Sequence, residues 1–270
     1  MCSWSLRPRD AAELARSVTE CGLSCAQLAL APLRSGAMPL ASVREVCAAA
    51  RITLVSGMMS TSGEDYSSLD SIARTGGLRP DARWVDNLSI ARADARLARE
   101  LGLPLVTFHA GFLPHDRRDP ERAKLLTRLR TVVDVFADQG VRLGLETGQE
   151  TAATLLEVLA ELDRPSTGVN FDPANMILYG MGDPVAALRA LGPKVVQVHV
   201  KDALPAARPG AWGEEVPVGT GAVDWPAFFA ALDAVQPGVD LVIEREAGEA
   251  RAADVRRARG HVLALTGAAA

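Results

Sequence analysis

Short apolar runs recur along the chain, and longer stretches whose apolar residues repeat three and four apart separate them. Eight runs read as strands: CSWSL (2–6), CAQLAL (25–30), ITLVSGM (52–58), LVTFHA (105–110), RLGLET (142–147), GVNFD (168–172), VVQVHV (195–200) and LVIERE (241–246). The intervening segments DAAELARSVTEC, LASVREVCAAA, ARADARLAREL, DPERAKLLTRLRTVVDVFADQ, TAATLLEVLAEL, DPVAALRAL, WPAFFAALDAV and ARAADVRRARGHVLAL read as amphipathic helices. Strands alternating with helices of this kind mark βαβ units and a parallel sheet. Eight such units predict an α/β fold, a (β/α)8 TIM barrel formed as a single domain over residues 1–270.

Helix starts carry capping signals, such as Asp183 before Pro184 and Asp224 before Trp225-Pro226. Two connections exceed the usual few residues, 59–84 and 203–224. Both follow strands, on the face where barrels build their sites.

Composition adds exclusions. With 48% hydrophobic residues in a 270-residue chain there is material for a substantial core. A formal net charge of −4, with the arginines dispersed, gives no attraction to nucleic acid or anionic lipid. No run approaches a membrane span, and the first residues lack a signal-peptide core, so the expected location is the cytoplasm. There Cys2, Cys21, Cys25 and Cys47 are expected as inert free thiols, distant in sequence from the acidic motifs and offering nothing to them.

The late strands share a feature. Each apolar run closes on a group able to bind a metal or move a proton: His109, Glu146, Asp172, His199, and Glu244 with Glu246. A parallel barrel brings the C-terminal ends of its strands to one rim. Taken singly, a glutamate there can pair with an arginine, an aspartate before proline can serve a turn, and a histidine can be a satisfied core residue. Together, crowded carboxylates at low dielectric repel one another unless a cation or proton offsets them. Two carboxylates and an imidazole, with a third carboxylate at hand, suit one divalent ion: Mn²⁺ first, with Mg²⁺, Co²⁺ or Zn²⁺ as alternatives. Strand alternation places Gln197 and Lys201 on the face of His199, Asn170 on that of Asp172, and Thr107 on that of His109, where they can orient the rim groups or satisfy one another.

LGLE, NFDPAN, VHVKD, VPVGTGAVDW and LVIE, in this order and spacing, resemble the xylose isomerase-like TIM barrels, the sugar isomerase/epimerase superfamily. The resemblance implies that Glu146, Asp172, His199 and Glu244, ending the fifth to eighth strands, hold one divalent metal. It also implies that Glu146 and Glu244 face opposite sides of a substrate carbon, one removing a proton and the other returning it, while the metal polarises the adjacent carbonyl and stabilises the enediolate. The sequence departs from the family pattern where a histidine is expected three residues after the strand-six aspartate, at Asn175. It departs again where an arginine is expected soon after the strand-seven histidine. Position 205 is proline, and Arg208 is the nearest candidate.

Other residues fit substrate contacts. Lys201 can hold a carbonyl oxygen, an enediolate or a phosphate, or else pair with Asp202 or Glu246. His109 can meet substrate hydroxyls or act as acid/base, or make a structural hydrogen bond. Glu64, Asp65 and Tyr66 in GEDYSSLD can form a lid or a solvated loop, and Trp212 can face a sugar ring while Trp225 packs in the core. The expected function is a metal-dependent isomerase or epimerase of a small sugar, keto-sugar, cyclitol or sugar phosphate, with a small carbohydrate as partner and a homo-oligomer left open. A lyase or dehydratase on the same site is the alternative. A non-catalytic barrel and an endonuclease IV-like nuclease are less favoured, the latter because only His109 and His199 end strands and there is no basic groove.

Overall fold

The computed structural model describes residues 1–208 and 210–267. Seven parallel strands form the sheet: β1 (Cys25–Ala29), β2 (Thr53–Met58), β3 (Leu105–Phe108), β4 (Arg142–Glu146), β5 (Thr167–Phe171), β6 (Val195–Val200) and β9 (Asp240–Ile243), paired in that order. Two short antiparallel strands, β7 (Asp202–Leu204) and β8 (Glu214–Val216), form a hairpin between β6 and β9. The eight expected helices appear at Ala11–Glu20, Leu40–Ala49, Trp84–Leu101, Pro120–Ala137, Ala152–Leu162, Pro184–Leu191, Trp225–Val235 and Arg251–Thr266. Asp183 and Asp224 cap theirs as expected, accepting from the N–H groups of Ala186 (2.7 Å) and Ala227 (3.1 Å). Among the described residues, no helix is long and apolar enough to cross a membrane.

The expected first strand is a correction. Residues Ser3–Ser5 form a 3₁₀ turn, and the segment contributes one bridge, Cys2 to Gln27. The segment still closes the ring. The Met1 carbonyl accepts from the Gln27 N–H (3.0 Å), and the Cys2 N–H donates to the Ile243 carbonyl (2.9 Å). Beyond that point side chains replace the ladder. Ser3 Oγ accepts from the Ala29 N–H (2.9 Å), and Ser5 Oγ from the Arg245 N–H (3.0 Å). Serine competes well for backbone groups at short range, which is why this apolar-looking pentapeptide leaves the extended conformation.

Two parallel pairings slip register, between Ala26 and Gln27 and between Val169 and Asn170. Both irregularities sit beside a polar side chain that points into the barrel, as expected of bulges, which re-aim side chains. Outside the ring the helices pack on an apolar layer in which Trp225, 2% exposed, meets Phe228 and Phe229 at ring-centroid distances of 5.5 Å each.

The long 203–224 connection is held by Asp202. Its carboxylate accepts from the N–H groups of Ala203, Gly219, Gly221 and Val223 and from Trp225 Nε1, at 2.9 to 3.2 Å. Gly221 is obligatory there, since a Cβ would overlap Asp202 Oδ1. Replacing the hydroxyl that joins the N-terminal turn to the last strand should be costly: Ser5→Ala leaves the Arg245 N–H buried and unpaired. We expect a loss of ~1–3 kcal/mol in urea unfolding, and an unchanged midpoint would show that water replaces the hydroxyl.

Candidate metal centre

Burial and unmet hydrogen-bonding capacity concentrate at one point above the strand ends. Single ligand atoms of Glu146, Asp172, His199 and Glu244 lie within 4.8 Å of one another, and all four residues are buried. His199 Nδ1 stands 3.4 Å from Glu146 Oε1, 3.4 Å from Glu244 Oε2 and 3.8 Å from Asp172 Oδ2. His199 Nδ1, Asp172 Oδ2 and Glu244 Oε2 have no hydrogen-bond partner. Glu244 Oε2 lies 3.0 Å from Lys201 Nζ, close enough for charge attraction but misaligned for a hydrogen bond.

Local structure turns each atom to this point. Asp172 does two jobs. Oδ1 caps the helix Pro173–Tyr179 by accepting from the Asn175 N–H (2.9 Å), so Oδ2 alone is left facing the cluster. Thr147 Oγ1 accepts from the Asp172 N–H (2.8 Å) and donates to the Asp172 carbonyl (3.0 Å), fixing the backbone at that turn. Glu146 Oε1 accepts from Asn175 Nδ2 (3.0 Å) and Oε2 from Asn170 Nδ2 (3.3 Å). Gly148, at φ +135°, makes room for Asn175, whose Cβ would lie 2.5 Å from a Cβ at that position.

The tautomer of His199 follows from its other neighbour. Gln27 Nε2 donates to Thr107 Oγ1 (2.8 Å) and toward the Gly57 carbonyl (3.3 Å), an acceptor only, so Gln27 Oε1 faces His199 Nε2 at 2.7 Å. The Nε2 proton is therefore directed at Gln27, so Nδ1 is the nitrogen that faces the cluster, protonated while the ring is an imidazolium and a lone-pair donor once that proton leaves. Gln197 donates to Asn170 Oδ1 (3.2 Å) and accepts from Ser56 Oγ (2.5 Å), so this inward layer both orients the rim groups and satisfies itself. The thiol of Cys2 also reaches this layer, 3.8 Å from His199 Nε2. That corrects the expectation that the cysteines stay apart. The cause is the N-terminal turn, which stands where the first strand was expected. All four cysteines are free, and burial pushes the Cys2 thiol up to about 12, so it stays neutral.

Electrostatics matches the geometry. Burial opposes the His199 imidazolium, but the surrounding carboxylates outweigh it and hold its pKa well above the ordinary value. Burial pushes the Asp172 carboxyl up to about 6. Burial works against ionised Glu146 and Glu244 too, yet His109 and His199 lower the first, and Lys201 and His199 hold the second well below its usual range. The donor set fits a divalent ion: three carboxylates and one imidazole, with unpaired atoms already converging.

A 490 Å³ cavity opens above this cluster. Glu244, His109, Asn175, Lys201 and Glu246 line it; Glu146 does not, but touches it through Asn175 and through His109, whose Nε2 lies 3.6 Å from Glu146 Oε1. Lys201 pairs with Glu246 (2.7 Å) as well as with Glu244. Arg208 is exposed on the segment between β7 and β8 and does not line the cavity. Glu64, Tyr66 and Trp212 do line it, and Trp225 lies in the core. The sequence reading missed Trp4, whose Nε1 donates to Glu244 Oε1 at 2.7 Å. It also missed Gln27, the one polar residue within CAQLAL and therefore visible as a break in an apolar run.

A family model described as xylose isomerase-like TIM barrel matches residues 9–264. The chain belongs to that family. Among solved members of the fold, a xylose isomerase domain protein from Planctomyces limnophilus superposes with a TM-score of 0.85 and 31% identity, over 93% of this chain and 90% of the other. An L-ribulose 3-epimerase superposes with a TM-score of 0.74 at 18% identity, over 97% and 92%. A 3-oxo-isoapionate decarboxylase from Pectobacterium atrosepticum is 26% identical over 129 residues, a match that spans 46% of this chain and 46% of the relative, under half its length.

One further carboxyl, four positions after Glu146 in the chain, has a measurable signature. Glu150, on the connection after β4, is 4% exposed, and no hydrogen bond or ion pair reaches it among the described residues. Burial pushes its pKa up from 4.5 to about 8. A carboxyl raised in the folded state leaves stability untouched below the unfolded pKa and lowers it as pH climbs toward the folded one. Glu150→Gln should therefore raise the melting temperature by several degrees at about pH 9 and change little at about pH 4. An equal effect at both would show that the carboxyl ionises freely.

Proposed function

We propose that this protein is a divalent-metal-dependent isomerase or epimerase of a small sugar, keto-sugar, cyclitol or sugar phosphate, working by proton transfer at a carbon next to a carbonyl. The observation that carries the reading is the convergence of three buried atoms without a hydrogen-bond partner among the described residues, His199 Nδ1, Asp172 Oδ2 and Glu244 Oε2, beside a 490 Å³ cavity that Glu244 lines. Glu146, Asp172, His199 and Glu244 hold the ion, Mn²⁺ first among Mn²⁺, Mg²⁺, Co²⁺ and Zn²⁺. When bound, it supplies Lewis-acid polarisation of a carbonyl oxygen.

The remaining chemistry belongs to the side chains. Glu244 faces the cavity with Oε1 fixed by Trp4 Nε1 and Oε2 beside the Lys201 ammonium, which keeps it ionised and ready to accept a proton. Glu146 is kept ionised by His109 and His199, and its oxygens are set by Asn175 and Asn170. His109, between Glu146 and the cavity, is placed to pass a proton outward or to meet a substrate hydroxyl. Asn175, Lys201 and Glu246 complete the substrate contacts, and Arg208, exposed away from the cavity, is left out of them. The protein acts in the cytoplasm as one barrel domain, without nucleic-acid or membrane partners, in keeping with its net charge of −4.

A second reading is a lyase on the same site. The matched stretch of the decarboxylase relative supports it, because the carbanion formed by proton removal is the one formed when a neighbouring bond breaks.

In D₂O, keto-sugars incubated with the metal-loaded protein should take up deuterium next to the carbonyl. Glu146→Gln and Glu244→Gln should each cut that rate by at least about 100-fold. Unchanged exchange in either variant removes that glutamate from the transfer pair. Trp4→Phe, which frees Glu244 Oε1 without touching charge, should slow exchange by roughly tenfold, and parent-like rates would make Trp4 a packing residue only.

A further inference from the structure

We infer that the cavity selects uncharged polyhydroxylated carbonyl compounds and excludes their phosphorylated counterparts. This specificity rests on reading the cavity as a carbohydrate site. Glu64, Glu215, Glu244 and Glu246 line it, and Lys201 is the one Lys or Arg side chain among the described lining residues.

That cation is already matched. Its Nζ lies 2.7 Å from Glu246 Oε2 and 3.0 Å from Glu244 Oε2. Glu215 is balanced from behind by Arg245 Nη1 at 2.8 Å, and the same Oε1 also accepts from the N–H groups of Glu246 (2.9 Å) and Ala247 (3.3 Å). Among the described residues Glu64 has no cationic partner. It accepts from the Gly77 N–H (3.0 Å) and the Tyr66 hydroxyl (3.4 Å). Three carboxylates around a divalent ion leave the floor itself net anionic. A phosphate dianion needs cationic groups to offset its desolvation. Among the described lining residues the one ammonium is already paired and no guanidinium is present, and Glu64 adds repulsion.

What the lining does offer is suited to hydroxyls. Thr61 Oγ1, His109 Nδ1 and Trp212 Nε1 are buried side-chain atoms without a hydrogen-bond partner, on three residues that line the cavity. A single donor or acceptor at each of several points matches a polyol, whose every carbon carries a hydroxyl. Trp4, Tyr66 and Tyr179 add aromatic surface, with Tyr179 packed edge-on to Trp212 at 4.9 Å. Aromatic faces with polar tips recognise the apolar face of a sugar at little cost in entropy.

The test uses the tryptophans that line the cavity, Trp4 and Trp212, as reporters. Intrinsic fluorescence of the purified protein in excess Mg²⁺ is titrated with matched pairs: D-fructose and D-fructose 6-phosphate, D-xylulose and D-xylulose 5-phosphate. In at least one pair the neutral member should quench and bind about tenfold or more tightly than its phosphate, about 1.4 kcal/mol. Glu246→Gln, which strips Lys201 of its outer partner, should narrow the gap by improving the phosphate. Phosphates that bind as tightly as their neutral partners in both pairs in the parent protein, or a panel in which no neutral sugar quenches, overturn the inference. An unchanged gap in Glu246→Gln overturns its assignment to the Lys201 pair. Failure of the proposed reaction reads differently: neutral sugars bind, but no solvent hydrogen enters them.

Discussion

Three carboxylates and an imidazole held within 4.8 Å of one another, away from water, are the constraint on which the rest depends. Like charges at that spacing and low dielectric repel strongly, and each ionised group loses its hydration as well. Without a metal the arrangement relies on the Lys201 ammonium beside Glu244 and on a proton on His199, as the directions of the pKa shifts express. A divalent ion held by Glu146, Asp172, His199 and Glu244 would offset the same charge and would displace that proton on binding. The cluster is thus a place where the fold gives up stability to hold a shape ready for a ligand.

The surroundings make sense as devices that keep that shape. Asp172 is split between a helix cap and the cluster, so the helix Pro173–Tyr179 fixes the aim of its second oxygen. Gln27, locked by the Gly57 carbonyl and Thr107, dictates which nitrogen of His199 looks inward. Trp4 and Lys201 grip Glu244 from two sides. These contacts come from the N-terminal turn, β1, β3, β6 and the helix after β5, so the whole ring has to close before the site exists. The short N-terminal turn, with two serine hydroxyls in place of strand hydrogen bonds, does that closing and delivers Trp4 to the cavity.

Much of this was legible in the sequence. Seven strands and most of the helices carry clear periodicity, with Arg251–Thr266 the weak exception, and the polar residues closing the late strands stand out because each interrupts or ends an apolar run. The alternation rule also placed Asn170, Gln197 and Thr107 inside the barrel, where they are fully buried. What escaped depended on contacts distant in sequence. CSWSL has a strand's composition, and only the backbone groups at Ala29 and Arg245, which no local pattern reveals, turn its serines into acceptors. The same displacement hid Trp4 and Cys2 from view. Arg208 was proposed by position alone, and its exposed side chain does not line the cavity. Lys201 illustrates a middle case: its pairing with Glu246 was one of two readings its sequence position allowed, and Asp202, the other partner considered, is occupied by four N–H groups and the Trp225 indole.

The central claim is that this cluster exists to hold a metal ion. Elemental mass spectrometry of the purified protein beside its His199→Ala variant tests it most directly, with the fold of both checked by circular dichroism. About one equivalent of Mn, Mg, Co or Zn in the parent and little in the variant is the expected result. No metal in either after incubation with Mn²⁺, or equal metal in both, would contradict it and leave a barrel whose buried acids are offset by Lys201 and a proton on His199.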